Sequence, residues 1–434
     1  MSLNIAYIES EIIDQYLYDE SSRPWIIGFS GGKDSTMLLQ MVWYALKKIP
    51  QELRTRQVHI VCNDTLVENP KIIEFIEQTL YQIQEAAIEY SMPFYVKKTS
   101  PKLEDTFWVN LIGRGYPAPT STFRWCTERL KINPTTKYIV ETLSEEGEAI
   151  ILLGTRSDES ANRARSMKKH QRGTSRLRKH LLPNTFVYAP IKDVAIEELW
   201  QYLLQVPPPW GHSNRQLITL YNNATGGDCP LVLDTSTPSC GQSRFGCWVC
   251  TVVKRDKSMD ALIDNGEDWM EPLQDIRDIL IKYREPEYRE THRRNKMEGP
   301  GPIKPEYRFD VLKRLIEAQV AIQEYDPSMI LISNQELVAI QVIWYRDNIF
   351  KHSVADLYNS IYKKEIDMSK VNSNLQKEME LLKKACAEDD NHFNLIKDLL
   401  QLERNKMLMV RKRGLLVDLE SKIDEHLKEI NTKK

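Results

Sequence analysis

Six residues, Ser30-Gly31-Gly32-Lys33-Asp34-Ser35, stand between an apolar run of strand length and an apolar-periodic helix. Upstream, Trp25-Ile26-Ile27-Gly28-Phe29 reads as a strand within residues 23–30. Downstream, Met37, Leu38, Met41, Val42, Ala45 and Leu46 repeat at helical spacing within residues 34–47. A strand, a Gly-Gly turn and a helix in succession make an anion cradle. The glycines admit close approach of backbone to phosphate, and the free N–H groups at the helix start point at it. Ser30 and Ser35 add hydroxyl donors, Lys33 can offset charge on a leaving pyrophosphate, and Asp34 is suited to help hold a magnesium ion. A Walker A loop is excluded: Lys33 is followed by Asp34, and Ile27 stands where the first glycine would be.

The alternation continues. Residues 57–62 (QVHIVC) form a second apolar run, 71–90 read as a helix, 93–97 as a third strand, 138–146 as a helix and 149–153 as a fourth strand. This order predicts an α/β fold, a mainly parallel, doubly wound sheet with helices on both faces. Ligand-binding loops in such sheets follow the strands' carboxyl ends. Asn63-Asp64-Thr65 follows the second strand, and Gly154 to Arg163 (GTRSDESANR) follows the fourth. Asp64, Gly154, Arg156 and Arg163 are therefore candidate nucleotide contacts, the two arginines as planar forks for phosphate oxygens.

The 434 residues allow two or three domains. No stretch approaches the roughly 18 apolar residues of a membrane span, and the acidic N-terminus has no secretory pattern, so the expectation is a cytoplasmic chain without a membrane partner. A net charge of −2 does not announce a nucleic-acid binder, but residues 161–192 contain no Asp or Glu and eight cations from Arg163 to Lys179. That segment reads either as a solvated loop or as a phosphate-contacting arm. Pro207-Pro208-Pro209-Trp210-Gly211 ends a helix over 196–205. Beyond Pro305 the pattern is helical, with stripes at Leu312, Leu315, Ile316 and Val320 and at Leu416, Leu419, Ile423, Leu427 and Ile430. The organisation expected is a nucleotide domain over 1–215, a cysteine-rich segment over 216–260 and a mostly helical region over 261–434.

Four of the seven cysteines are packed into Cys229-x10-Cys240-x6-Cys247-x2-Cys250. Without a secretory signal, this clustering favours metal ligation over disulfides. Four thiolates suit a 4Fe–4S cluster or tetrahedral zinc, and the spacing alone leaves both open. Cys126, in Arg124-Trp125-Cys126-Thr127, reads either as a sulfur carrier or substrate contact, or as an ordinary buried cysteine. Arg129 and Lys131 nearby are candidate substrate-phosphate contacts.

The SGGKDS loop is similar to that of the PP-loop ATP pyrophosphatases, which cut ATP between the α and β phosphates. Together with NDTLVENP (63–70), RWCTERLKINP (124–134), GTRSDESANR, APIKD (189–193), PPPWG and GCWVCT, it resembles the phosphoadenosine phosphosulfate reductase-like family over roughly residues 20–260. Within that family it resembles most the DndC-type DNA phosphorothioation proteins and the related SspD type. The resemblance implies an adenine nucleotide alpha hydrolase-like fold and an enzyme of a restriction–modification setting. It would use ATP and Mg2+ to adenylate DNA backbone phosphate, so that sulfur replaces a non-bridging oxygen. The resemblance further implies a 4Fe–4S cluster, rather than zinc, on Cys229, Cys240, Cys247 and Cys250. The implied partners are DNA, a cysteine desulfurase and other proteins of the phosphorothioation system. One departure bears on substrate: the Glu-Cys-Gly-x-His motif of thioredoxin-linked sulfate reductases is missing, and Cys386 lies in KKACAEDD. Alternatives are tRNA thiolation, adenylyl-sulfate reduction, or a non-catalytic iron–sulfur DNA-binding subunit.

Overall fold

The computed structural model describes residues 4–19, 21–159, 176–180, 182–211, 213–224, 246–294, 297–347, 353–364, 381–386, 389, 392–397, 399–400 and 423. The chain forms two compact units, residues 1–340 and 341–434. The boundaries expected near 215 and 260 both fall within the first.

The first unit is built on six strands in the order β3-β2-β1-β4-β6-β5. They are β1 (Trp25–Gly28), β2 (Val58–Asn63), β3 (Phe94–Thr99), β4 (Ala149–Leu152), β5 (Arg178–Lys179) and β6 (Thr185–Tyr188). All pairings are parallel except β5–β6. The expected α/β, mainly parallel sheet is therefore present. β1 runs at its centre, with Trp25, Ile26 and Ile27 all buried, as a strand covered on both faces requires. The short pair β5–β6, joined through residues 180–184, had no counterpart in the sequence expectation: two and four residues are too few to show a period.

Helices α1 (Ile5–Leu17), α2 (Lys33–Lys47), α3 (Pro70–Glu89) and α4 (Asn133–Glu146) belong to the sheet layer, followed by α5 (Ile196–Gln205) and α6 (Arg215–Ala224). α2 is buried almost all round: Met37, Leu38, Leu39, Met41, Val42 and Trp43 are fully inaccessible. At about 1.5–3 kcal/mol per fully buried large side chain, this helix is a main contributor to the core. Trp43 stacks on Phe94 with ring centroids 4.6 Å apart, tying α2 to β3.

α4 begins earlier than its apolar period indicates. A π-helical turn over Thr127–Ile132 leads into it, with Cys126 just before that turn. A second π-helical turn spans Val109–Gly113. Such wide turns recur at functional sites. The unit is completed by α7 (Lys257–Asp264), α8 (Glu271–Lys282) and α9 (Pro305–Tyr325), whose Leu312, Leu315 and Ile316 are fully buried. α10 (Asn334–Arg346) follows, and α11 (Val354–Tyr362) lies in the second unit. The stripe from Leu416 to Ile430 lies outside the described residues apart from Ile423. Among the described residues no helix is long and apolar enough to cross a membrane.

Candidate nucleotide loop and cysteine cavity

The strand order makes the site. β2 and β3 lie to one side of β1 and β4 to the other, so the loops leaving β1 and β4 diverge at a switch point, where open α/β sheets bind ligands. The first of these loops is Ser30–Ser35. Gly31 takes φ +70°, and a Cβ there would lie 2.5 Å from Ile76 Cγ1, so the turn is open to glycine alone. The Ser30 amide donates to Ser35 Oγ at 3.2 Å, and Ser35 Oγ donates to the Gly32 carbonyl at 3.0 Å. These bonds fold the loop back over the first turn of α2. Gly32 is the N-cap of α2 and has no side chain to satisfy the free N–H groups beyond it.

Three groups from elsewhere enter this loop. The Tyr221 hydroxyl, from α6, accepts from the Lys33 amide at 3.2 Å, and its ring lies 5.2 Å from Lys33 Nζ. Burial pushes the Tyr221 phenol above its ordinary pKa, so it stays neutral. Arg156 donates from Nε to Asp34 Oδ1 at 2.6 Å and from Nη1 to the Val194 carbonyl at 3.1 Å. Lys33 Nζ sits 3.2 Å from Asp34 Oδ2. Gly154 lies so close to α2 that a Cβ on it would be 2.8 Å from the Asp34 carbonyl oxygen. Asp34 is thus held between two cations, and Arg156, only 2% accessible, is bound to Asp34 and the main chain. Lys33, the loop's own cation, pairs with Asp34 and lies against the Tyr221 ring. Tyr221 belongs to no motif, and only the tertiary contact reveals it. Arg163 and the cations from Arg163 to Arg172 lie outside the described residues; Arg176 pairs with Glu11 and Asp14 of α1.

The loop after β2 leads from the sheet to the cysteines. Asn63 Oδ1 accepts from Thr135 Oγ1 at 2.9 Å, and its side-chain amide donates to the Lys131 carbonyl at 3.4 Å. Asp64 closes a local turn, accepting from the Leu66 amide at 2.9 Å, with Lys98 Nζ 3.6 Å away. Glu68 then pairs with Cys247 in a short antiparallel bridge, and the Trp248 amide donates to the Val67 carbonyl at 3.1 Å. Thr65 Oγ1 is 3.4 Å from Cys247 Sγ.

Cys126, Lys131, Cys247 and Cys250 line one cavity of about 230 Å³, with Phe107 and Arg124 also in its wall. No local pattern joins Cys126 to the Cys-x2-Cys pair, since 120 residues separate it from Cys247. Cys229 and Cys240 lie outside the described residues. Burial pushes the Cys247 thiol up to about 11, with Glu68 adding to the effect. Burial raises Cys126 too, and Cys250 adds to it. Burial works against the Lys131 charge, but the surrounding thiols and Glu68 outweigh it and raise its pKa. Among the described residues no group of three or more His, Cys, Asp or Glu side chains is placed to hold a metal ion. Cys247 and Cys250 offer two sulfur donors, so a four-thiolate centre would need Cys229 and Cys240 as well. Arg129 is placed elsewhere: it pairs with Asp105 and donates to the Tyr116 hydroxyl at 3.3 Å.

Residues 24–253 match the model of the phosphoadenosine phosphosulfate reductase domain. An uncharacterized protein of Methanocaldococcus jannaschii, MJ0066, is 27% identical over 198 residues, covering 44% of this chain and 34% of that protein. The match thus spans about a third of that relative. Among solved structures, the phosphoadenylyl-sulfate reductase of Candida auris aligns with a TM-score of 0.28 and 13% identity, covering 47% of this chain and 87% of that one. The U34-tRNA thiolase NcsA of Methanococcus maripaludis, with its [4Fe-4S] cluster, aligns at 0.28 and 12%, covering 64% and 77%. The FMN adenylyltransferase of Candida glabrata aligns at 0.29 and 13%, covering 51% and 59%.

Proposed function

Because the chain belongs to the phosphoadenosine phosphosulfate reductase domain family, we propose that it is an ATP pyrophosphatase that adenylates DNA backbone phosphate for exchange of a non-bridging oxygen by sulfur. One observation carries this reading. The loops leaving the adjacent strands β1 and β2 lead, respectively, to a phosphate cradle at Ser30–Ser35 and to a cavity lined by Cys126, Cys247 and Cys250. Activation by nucleotide and delivery of sulfur need two such centres side by side.

In this reading the N–H groups at the start of α2 and Lys33 hold the β and γ phosphates, and Asp34 would help hold a Mg2+ ion, which would offset phosphate charge. A DNA phosphate oxygen attacks the α-phosphate, and pyrophosphate leaves with its charge met by Lys33. The adenylated phosphate then carries AMP as leaving group; the outer sulfur of a Cys126 persulfide displaces it, and an external thiol reductant cleaves the resulting S–S bond, leaving sulfur on the DNA phosphate and the Cys126 thiol free. Positioning and charge stabilisation do most of the work. Cys247 and Cys250, with Cys229 and Cys240, would hold a 4Fe–4S cluster, which when bound supplies iron able to handle electrons or sulfide. A cysteine desulfurase would be the source of sulfur, and other proteins of a phosphorothioation system would be partners.

The test is product analysis with DNA present. Pyrophosphate and AMP are expected, lost about a hundredfold in Lys33→Ala, and nuclease-resistant sulfur should appear in DNA when the sulfur donor is added. Release of ADP and inorganic phosphate would sink the loop assignment. Sulfur found in tRNA nucleosides, with none in DNA, would move the protein to tRNA thiolation.

A further inference from the structure

A second, larger cavity of about 690 Å³ lies between residues 115–123 and residues 284–302. Four arginines line it, Arg284, Arg289, Arg293 and Arg294, against a single acid, Glu285. Three of them are fixed by main-chain carbonyls. Arg284 donates to Thr251 at 3.0 Å, Arg289 to Gly301 at 2.7 Å and Pro300 at 2.8 Å, and Arg294 to Arg114. Among the described residues none of the four meets a carboxylate. Each guanidinium has five N–H donors, so one or two anchoring bonds leave others for a ligand. Burial, and after it the nearby charge of Arg293, hold Arg289 below its ordinary pKa. Cations gathered round a groove and anchored there are a site for an anion.

Two aromatic rings share the groove. Phe123 is 46% accessible, unusual for a phenylalanine, and the Arg294 guanidinium lies 5.7 Å from the Tyr116 ring. A free phosphate or an acidic peptide gains nothing from an exposed phenylalanine. An unpaired base stacks on one, whereas a duplex keeps its base faces hidden.

The groove also shares a wall with the cysteine cavity. Phe123 lines the groove, and Arg124 and Cys126 line the cavity. Arg284 binds the carbonyl of Thr251, the residue after Cys250, and Thr251 Oγ1 donates to the Pro119 carbonyl at 2.7 Å. The geometry points to a binding groove for a single-stranded sugar–phosphate chain, gripped by Arg284, Arg289, Arg293 and Arg294, stacked on Phe123, and led along residues 123–126 toward Cys126. This deepens the proposed function and rests on it only for the chemistry at Cys126. It adds a nucleic-acid contact at an element the sequence did not mark, while residues 161–175 of the basic segment 161–192 lie outside the described residues.

The full-length protein, purified without oxygen, is titrated into fluorescent single-stranded DNA, single-stranded RNA and duplex DNA across a salt series. Tighter binding of a single strand than of duplex is expected. Arg293→Glu should weaken it about tenfold or more and lower the slope of log affinity against log salt by about one. Phe123→Ala should weaken it about fivefold or more with the slope unchanged. Lys137→Glu, on the exposed side of α4, should bind as the unaltered chain does. Wild-type affinity in both groove variants, no binding by the unaltered chain, or preference for duplex would overturn the groove. Pyrophosphate release is read in the same samples: if groove variants lose binding while no sample releases pyrophosphate, the groove stands and the ATP reading falls. RNA bound in place of DNA would likewise keep the groove and remove the DNA substrate.

Discussion

Arg156 Nε donates to Asp34 Oδ1 at 2.6 Å, joining the loop after β4 to the first turn of α2 across 122 residues of sequence. Arg156 was a candidate phosphate contact in the sequence, because an arginine after a strand beside a nucleotide loop suits that role. In the folded chain its guanidinium spans the Asp34 carboxylate and the Val194 carbonyl, so it holds the Ser30–Ser35 loop in shape.

Arg156→Ala should therefore act on stability as well as on turnover. It leaves Asp34 with Lys33 alone and the Val194 carbonyl without its guanidinium donor, and losing a charge-assisted hydrogen bond of this kind costs about 1.5–3 kcal/mol. Arg156→Lys should recover little, since an ammonium cannot span two acceptors in one plane. Urea unfolding of both variants checks this; a lysine variant as stable as the unaltered chain would refute the spanning role.

Gly154→Ala tests the same junction by shape. The added methyl would sit 2.8 Å from the Asp34 carbonyl oxygen and 3.0 Å from its carbon, both main-chain atoms that cannot move aside alone. Overpacking of this kind costs about 1–3 kcal/mol, and the displaced α2 start should weaken ATP binding as well. Gly28→Ala, at the end of β1, meets nothing within 4 Å and should leave the unfolding midpoint nearly unchanged. Equal destabilisation by the two would show that the close approach does not matter.

The local features of the site were readable where chemistry and neighbouring structure coincide in sequence. Ser30–Ser35 announced itself because a strand, a glycine pair and a helix follow one another within residues 25–47. The central strands were found by their apolar runs, and β5 and β6 were missed because residues 178–179 and 185–188 carry too little pattern. Tyr221 at the phosphate loop, Cys126 beside Cys247 and Cys250, and the four-arginine groove all depend on long-range packing. No local period encodes them. Arg129 shows the reverse case: its motif neighbours Cys126 and Lys131 reach the cavity, while the π-helical turn directs its own side chain to Asp105 and Tyr116.

His59 makes the stability of the sheet depend on pH. It lies on β2, its Nδ1 is 2.8 Å from the Tyr138 hydroxyl, and its Nε2 is buried without a partner among the described residues. Protonation would place a charge there with no acceptor for the second N–H, and burial holds its pKa below the ordinary value. Its contribution to folding is thus fully present above the unfolded value of about 6.5 and is lost as pH falls through the lower folded value. Urea midpoints should fall between neutral and mildly acidic pH, and fall less in His59→Gln. His180, also depressed by burial and by Arg178, should leave a residual slope. Identical slopes in the two proteins would remove His59 as a cause.

The cysteine cavity gives the last expectation, because it separates ligands from a sulfur carrier. Cys247 and Cys250 sit one turn apart, with the Cys250 amide donating to the Cys247 carbonyl at 3.0 Å, while Cys126 reaches the same cavity from the start of a π-helical turn. If the four clustered cysteines hold a 4Fe–4S cluster, anaerobically purified protein should carry about four iron atoms per chain. Cys247→Ser should lose them, although serine keeps a hydroxyl beside Thr65. Cys126→Ser, by contrast, should retain iron and still release pyrophosphate, but place no sulfur in DNA. About one zinc per chain and no iron would replace the cluster by a structural metal. Iron lost in Cys126→Ser would make Cys126 a ligand, and the sulfur would then have to be carried by another group.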